Sequence, residues 1–246
     1  MISYKVTQCK LFSQTKFSVG LLSTSGPVLF EKYFVDFSSL NSYLTTYFPF
    51  NNSFYDLAVN KLSIFYGSYT YTFDRFNQPK SAIQLNNGYL YTYNFYSSIR
   101  LPYNSGYTIA LWIKIRAIGE NSRLFNIFDY WTEGLSLGLS NSTSGKPFIY
   151  SMSNSSSLTI ISTSALIVNK WQHLAFTFDP SGIVRIFING IITVEGSMIL
   201  PKPISPTQYF GYLGYDYYYR TNATLDDFKI FNKSLTQSEI MICMNS

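Results

Sequence analysis

Histidine, cysteine and charged residues are all scarce in this chain. Its 246 residues include one His and two Cys, and only 13% of them are charged. Acid–base and metal chemistry draw mainly on His, Cys, Asp and Glu, so the composition offers little material for either. The net charge is +5, yet no run of four or more Lys or Arg occurs. We therefore expect no nucleic-acid partner and no polybasic membrane patch.

Long apolar runs are missing as well. The longest charge-free stretch lies between Lys146 and Lys170 and is rich in Ser, Thr and Asn, which is too polar for a membrane-spanning helix. We therefore expect no membrane insertion by this segment. No signal peptide is recognisable at the amino terminus. The chain is accordingly expected to be cytosolic or a piece of a longer exported protein.

Aromatic residues are abundant instead, with 22 Tyr and 21 Phe. Together with Ile, Thr and Ser, they form the composition of strands joined by polar turns. Residues Thr108–Arg116 show strict alternation, which is typical of a strand that buries one face. The side chains predicted on the buried face are Ile109, Leu111, Ile113 and Ile115.

Turn residues predict an antiparallel meander in the second half of the chain. Asp179-Pro180-Ser181-Gly182 fits a type I turn, and Asn189-Gly190 is a strong hairpin signal because both residues tolerate positive φ. The capping box of Thr236 and Glu239 predicts the only helix, a short C-terminal turn. The fold class is therefore predicted to be all-β, an antiparallel β-sandwich with one terminal helical turn.

Composition divides the chain near residue 44. Residues 1–43 contain short apolar pieces separated by Ser, Thr and Gly-Pro, and we interpret them as a packed extension or a piece of a neighbouring domain. Residues 44–246 carry the recurring strand patterns and form the predicted main domain.

Six pieces in this main domain, in order, resemble the laminin-G-like, concanavalin A-like lectin/glucanase jelly rolls. They are Tyr47–Asn52 with Asp56, Asp74–Phe76 with Ser81–Leu85, Thr108–Lys114, Trp171–Ala175, Ile188–Gly190 and Leu225–Thr236. The resemblance implies a jelly roll of two curved antiparallel sheets. It does not imply one function, since members include lectins, adhesion modules and glycosidases.

The residues do not support catalysis. Retaining glycosidases need two carboxyl groups about 5 Å apart, and the nearest candidates are Asp129 and Glu133. Their spacing is wrong for one strand face, and we expect a turn at Glu133-Gly134. His173, the only histidine, is interpreted as a hydrogen-bonded sheet residue, since no nucleophile motif accompanies it. We predict no enzyme activity; a degenerate glycosidase remains a lesser alternative.

The resemblance also implies a structural calcium ion between the first loop and the last strand. The matching positions are Asp56, Asn60 and Asp226, whose oxygens suit calcium. Asp226 and Asp227 are adjacent, and a cation would relieve their repulsion. The alternative is that one acid faces solvent while the other caps the helix or pairs with an arginine.

A tyrosine-rich segment provides the candidate ligand site. Three adjacent tyrosines cannot all face inward on a pleated strand, so at least one is expected to be exposed. The predicted ligand-binding residues are Tyr215, Tyr217, Tyr218, Tyr219 and Arg220. We interpret the chain as a non-catalytic recognition or adhesion module for a glycan or an extracellular protein. The alternative is a purely structural spacer in a multidomain surface protein.

Cysteines and sequons bear on the compartment. Cys9 and Cys243 lie at opposite ends of the chain, and they are either a disulfide across the termini or two free thiols. Candidate N-glycosylation sites are Asn51, Asn141, Asn154, Asn222 and Asn232. An extracellular or cell-surface location is expected, as part of a longer chain.

Overall fold

Strands dominate the computed structural model, which describes residues 38–58, 61–62, 66–88, 90–91, 105–119, 122–129, 133–153, 156–200 and 221–246. The helices are α1 (Ser38–Asn41) and α2 (Gln237–Met244). The strands are β1 (Leu44–Phe48), β2 (Tyr55–Asp56), β3 (Lys61–Leu62), β4 (Tyr66–Gly67), β5 (Thr70–Thr72), β6 (Ala82–Gly88), β7 (Leu90–Tyr91), β8 (Tyr107–Ile115), β9 (Arg123–Asp129), β10 (Glu133–Gly138), β11 (Phe148–Ser153), β12 (Ser156–Ile161), β13 (Gln172–Phe178), β14 (Ile183–Ile188), β15 (Ile191–Ser197) and β16 (Thr221–Phe231).

The larger sheet has the order β15-β14-β13-β8-β16-β6-β5, and all its pairings are antiparallel. β16 is its central strand. One side of β16 pairs with β8, and the other side is shared by β6, beside the first half, and β1, beside the second half. The opening strand of the predicted main domain is therefore paired with its closing strand.

The smaller sheet, β12-β11-β10-β9, packs over one face of the larger sheet. Alternation predicted the inner face of β8 correctly, because Ile109, Leu111, Ile113 and Ile115 all lie in this core. Phe125 of β9 meets Phe228 of β16 with ring centroids 6.3 Å apart, which joins the two layers. The predicted all-β antiparallel sandwich is thus confirmed.

A second apolar cluster covers part of the outer face of the larger sheet. Leu40 of α1 and Ile240 and Cys243 of α2 pack there against Ala110 and Ala175 of the sheet. The prediction of a single helix is wrong, because the short helix α1 precedes β1 and buries Leu40. β1 begins at Leu44, but residues 1–37 lie outside the described residues, so the division at 43/44 stays a prediction.

The predicted turns connect consecutive strands of the meander. The Gly182 amide donates to the Asp179 carbonyl at 2.9 Å, as a type I turn requires. Asn189 and Gly190 both adopt positive φ, at 52° and 78°. The Thr236 hydroxyl accepts from the Glu239 amide, which completes the capping box of α2.

One turn prediction is wrong. Glu133 and Gly134 begin β10, and the backbone of Glu133 pairs in register with Asp129 of β9. The turn was therefore placed too late in the chain. Asp129 and Glu133 belong to different, antiparallel strands, which agrees with the expectation that they do not share one strand face.

Candidate functional site

A bulge in β16 brings two consecutive acids into one cluster. The register between β16 and β8 shifts between Asp226 and Lys229, and Asp227 adopts a φ of 50°. Asp is one of the few residues that tolerate this left-handed conformation. In a regular strand, neighbouring side chains point to opposite faces. The bulge removes that alternation and lets both carboxylates reach the same partner.

That partner is Arg75, in the loop between β5 and β6. Its Nη1 lies 2.7 Å from Oδ2 of Asp226 and 2.7 Å from Oδ2 of Asp227. The Tyr47 hydroxyl donates to Oδ1 of Asp227 at 2.7 Å. All of these side chains are largely shielded from water, so the guanidinium is the main compensation for two desolvated negative charges.

Burial and like charge govern the protonation of this cluster. Burial raises the pKa of Asp226, and the neighbouring Asp227 charge raises it further, while Arg75 only partly opposes both effects. Burial also raises the pKa of Tyr47, with help from the Asp227 charge. Asp226 is therefore a carboxyl group that holds its proton more tightly than an ordinary aspartate does.

A row of aromatic side chains lies beside the acids. Asp226, Trp112 and His173 occupy neighbouring register positions on β16, β8 and β13, and the Trp112 and His173 rings pack edge to face. Burial, followed by the charges of Lys229 and Arg75, lowers the pKa of His173 to about 3. The imidazole is therefore neutral at physiological pH.

His173 is a buried sheet residue, as predicted, but its expected hydrogen bonding is incomplete. Its backbone amide donates to the Asn189 side chain at 2.9 Å. Its Nδ1 atom, like Nε1 of Trp112, is buried and has no hydrogen-bond partner among the described residues. With no hydroxyl or thiol nucleophile bonded to it there, this histidine does not form the hydrogen-bonded pair used in acyl transfer.

The predicted calcium ligands have other partners. Oδ1 of Asp56 accepts from the amides of Tyr47 and Ala58, both at 2.9 Å, and Asp226 contacts Arg75. In the described part of the chain, no three His, Cys, Asp or Glu side chains are grouped to hold a metal ion. Both described members of the set thus have polar partners of their own. Asn60 lies outside the described residues, so the calcium site stays a prediction.

A small polar pocket lies at the other end of β16, beside its first residues. Ser122, Ser140 and Asn222 line its polar side, and Ile115 and Ile118 contribute to its apolar side. Its interior volume is about 10 Å³, room for about one water molecule. Small-molecule sites usually measure roughly 300–1,000 Å³, so this pocket can admit one hydroxyl group of a ligand and not a ring.

Asn222 is the group in this pocket that lacks a partner. The backbone around it is fixed, because the Arg116 amide donates to the Asn222 carbonyl at 2.9 Å. The side-chain Oδ1 is buried and, among the described residues, accepts no hydrogen bond. A buried acceptor left in this state costs about 1–3 kcal/mol. A hydroxyl donor entering the pocket would therefore be stabilised.

One of the two serine hydroxyls of the pocket, that of Ser140, is already engaged. Ser140 Oγ accepts from the Gly145 amide at 2.9 Å and donates to the Ser142 carbonyl at 2.8 Å. Ser140 therefore shapes the wall, while Asn222 supplies the open acceptor. Sequence reasoning missed this pocket, since its lining residues come from separate parts of the chain.

The other predicted site residues are distributed as follows. Tyr215, Tyr217, Tyr218, Tyr219 and Arg220 lie outside the described residues, as do Cys9 and Asn154. Arg220 directly precedes Thr221, where β16 begins beside the pocket.

Cys243 is a buried thiol whose pKa burial raises to about 11, and its pairing with Cys9 stays a prediction. Among the sequons, Asn51 is exposed, whereas Asn141, Asn222 and Asn232 are partly buried. Glycosylation at any of these positions also stays a prediction.

Comparison with protein families gives one match. A model of the concanavalin A-like lectin/glucanases superfamily, laminin G type, matches residues 84–241. No curated protein matches the chain. Across the described ranges, no helix has both the length and the apolar character needed to cross a membrane.

Several solved structures share the fold. Domain 4 of AbnA, an extracellular GH43 arabinanase from Geobacillus stearothermophilus solved with arabinotriose, is 20% identical with a TM-score of 0.66. That alignment covers 82% of this chain and 98% of the domain. The binding domain of Paraclostridial Mosquitocidal Protein 1 is 18% identical with a TM-score of 0.63, covering 84% of this chain and 52% of the other.

A botulinum neurotoxin type C structure, described in terms of cell entry through two ganglioside molecules, is 15% identical with a TM-score of 0.60. Its alignment covers 85% of this chain and 52% of the other. The present chain thus spans about half the length of the two toxin structures. At these identities the likeness establishes the fold alone.

Proposed function

Because the chain belongs to the concanavalin A-like lectin/glucanases superfamily, we propose that it is a non-catalytic recognition module that binds carbohydrate. The fold alone leaves function open. The proposal therefore depends on this small pocket, and in particular on the buried amide oxygen of Asn222, which has no hydrogen-bond partner among the described residues.

A sugar hydroxyl fits that oxygen chemically. A hydroxyl group supplies one donor and is small enough for a pocket that holds only part of a ligand. Ile118, which is 40% exposed and lines the pocket beside the acceptor, offers apolar surface to the C–H face of a sugar whose hydroxyl group enters the pocket. The polar group fixes orientation while the apolar wall contributes contact area.

The tyrosine-rich segment is proposed as the remainder of the site. Tyr215, Tyr217, Tyr218, Tyr219 and Arg220 immediately precede the strand that carries Asn222. Tyrosine offers large amphipathic contact area at low entropy cost. An extracellular or cell-surface location within a longer chain fits this proposal, and the AbnA domain belongs to an extracellular enzyme.

Glycan-array binding tests the proposal, using protein made in bacteria so that no N-glycan is attached to Asn222. We expect the wild type to bind one glycan class, and Asn222→Ala to weaken binding about tenfold, the loss of one hydrogen bond. Asn86→Ala is the matched control, since Asn86 pairs with Asn222 in register but is exposed.

The tyrosine segment has its own variant. The triple change Tyr217→Ala, Tyr218→Ala and Arg220→Ala is expected to abolish the array signal, and a signal that survives it removes the segment from the site. If the wild type retains no glycan and instead captures an extracellular protein, protein recognition replaces the proposal. If neither ligand class binds, the chain is a structural spacer.

A further inference from the structure

Two phenylalanines are exposed on the loop between β5 and β6. The side chains of Phe73 and Phe76 are 57% and 65% exposed. We call residues 73–81 the aromatic loop. Burial of large aromatic side chains is a main source of folding stability. Two of them exposed in one short loop therefore lack an explanation in folding.

Hydrogen bonds hold the backbone of the aromatic loop. Asp74 Oδ1 accepts from the amides of Phe76 and Gln78, both at 2.8 Å. The Asp74 amide donates to the Gln78 carbonyl at 3.1 Å. From the neighbouring loop, the Asn52 amide donates to the Lys80 carbonyl at 2.7 Å. The exposed rings thus project from a fixed turn.

Arg75 fixes the loop to the sheet. Its guanidinium contacts the acids of the β16 bulge and lies 4.9 Å from the centroid of the Trp112 ring. The same guanidinium lies 4.4 Å from the centroid of Phe76. Phe76 is therefore supported on one side by a buried cation and open to water on the other. Such preorganisation reduces the entropy lost on binding.

The polar groups around the rings indicate the class of partner. Asn52, Asn77 and Gln78 are exposed, and their amides can both donate to and accept from hydroxyl groups. Lys80 is the only exposed cation in the loop, because Arg75 is engaged with the acids. Recognition of an anionic membrane surface typically uses clusters of several Lys and Arg. The surroundings thus favour a neutral polyhydroxylated partner.

We propose that Phe73 and Phe76 form a stacking platform for a neutral oligosaccharide, whose hydroxyl groups are bound by the amides of Asn77 and Gln78. The inference rests on the proposed carbohydrate recognition and adds a second contact surface to it. The aromatic loop precedes Ala82, the first residue of β6, whereas Asn222 pairs with Asn86, four residues further along the strand. At about 3.4 Å per residue, Ala82 and the pairing partner of Asn222 are roughly 14 Å apart.

Affinity electrophoresis through gels containing neutral polysaccharides, such as arabinan or β-glucan, tests the platform. The double variant Phe73→Ala/Phe76→Ala is expected to lose about tenfold or more in affinity, equivalent to at least about 1.4 kcal/mol. Phe76→Trp is expected to retain binding, since it preserves a flat ring. Ile199→Ala is the control, because Ile199 is 76% exposed and follows β15 at the opposite edge of the sheet.

Each result has a distinct meaning. If the wild type is retarded and the double variant is retarded equally, the platform is wrong while carbohydrate recognition stands. If no polysaccharide retards the wild type, the platform and the proposed function both fail. If the double variant binds polysaccharide as the wild type does but no longer sediments with phosphatidylserine-containing vesicles, the loop contacts membranes and the platform is wrong. Circular dichroism melts of each variant verify that the fold is retained.

Discussion

The guanidinium of Arg75 lies 2.7 Å from the carboxylate of Asp226, although 151 residues separate the two in the sequence. This ion pair joins the loop that presents Phe73 and Phe76 to the central strand of the larger sheet. It also provides positive charge beside two acids that the bulge brings together. Arg75 therefore couples the aromatic loop to the bulge of β16.

Removing Arg75 should destabilise the fold strongly. In Arg75→Ala, both carboxylates stay buried without their cation, and breaking a buried ion pair in this way costs about 3–5 kcal/mol. Urea unfolding measures the loss. Arg185→Ala is the matched control, since its partner Glu195 is 54% exposed, and such surface pairs are worth about 1 kcal/mol or less.

Removing one of the two acids should recover part of the stability that is lost in Arg75→Ala. Adding Asp226→Asn to Arg75→Ala removes one uncompensated charge, so the double variant is expected to be more stable than Arg75→Ala alone. An equal or lower free energy of unfolding would show that Arg75 acts through packing on Trp112 and Phe76 rather than through charge.

Asp226 should make stability fall as the pH rises toward neutrality. Its folded-state pKa is raised by burial and by Asp227, so between its ordinary value and the raised one the folded state retains a proton that the unfolded state has lost. The stabilisation is complete below the ordinary pKa near 4 and disappears as the pH passes the folded-state pKa.

Asp226→Asn cannot ionise, so the comparison isolates this effect. The free energy of unfolding of the wild type, relative to Asp226→Asn, is expected to decrease by at least about 1 kcal/mol between pH 4 and pH 8. Urea titrations at pH 4, 6 and 8 measure the difference. Asp179, whose pKa is lowered by its bonds to Ser181, should show no such decrease relative to Asp179→Asn, since its contribution is present above the ordinary pKa and is lost only as the pH falls below about 4. A difference that does not change with pH contradicts the raised pKa.

His173 should act with the opposite sign. Burial lowers its folded-state pKa to about 3, so below pH 6.5 the unfolded imidazole binds a proton that the folded one does not. Its contribution to stability is present above pH 6.5 and is lost as the pH falls toward 3. The wild type should therefore lose stability relative to His173→Gln between pH 7 and pH 4.

Nuclear magnetic resonance gives a direct measurement of this group. The chain contains one histidine, so its imidazole resonances need no assignment by mutation. They should not shift between pH 8 and pH 5 in the folded protein. A titration near pH 6.5 would contradict the buried, neutral state.

Chelation should leave the melting temperature unchanged. Arg75 already pairs with both acids of the β16 bulge, and Asp56 accepts hydrogen bonds from two backbone amides. Melts with calcium and with EDTA measure the effect, using Asp56→Asn as the reference. A midpoint that falls with EDTA in the wild type but not in Asp56→Asn would restore the calcium site of Asp56, Asn60 and Asp226.

Turns, helix ends and strand faces could be predicted from the sequence, because neighbouring residues determine them. The Asn189-Gly190 turn follows from backbone sterics, and the helix start at Thr236 follows from side-chain capping. The alternation around Leu111 identified the buried face of β8. The turn expected at Glu133-Gly134 was misplaced, because the sequence indicated a reversal near these residues but not the strand register that fixes its position.

The candidate site was only partly readable. The tyrosines stood out because they are clustered, and Asp226 stood out because it matches a family position beside a second acid. Asp74-Arg75-Phe76 was recognised only as a landmark of the fold. The pairing of Arg75 with Asp226 could not be foreseen, because it requires the register of β16 and a bulge that no local pattern announces. The Asn222 pocket was missed for the same reason, since its walls come from separate loops.

The sequence by itself determined that this protein is an antiparallel sandwich, because alternation, turn residues and helix caps act over a few neighbours. Only the tertiary structure decided where charge is neutralised, which amide oxygen remains without a donor, and which aromatic rings face water. Those outcomes depend on contacts between residues far apart in the chain, and their energies arise only when packing has removed the surrounding water.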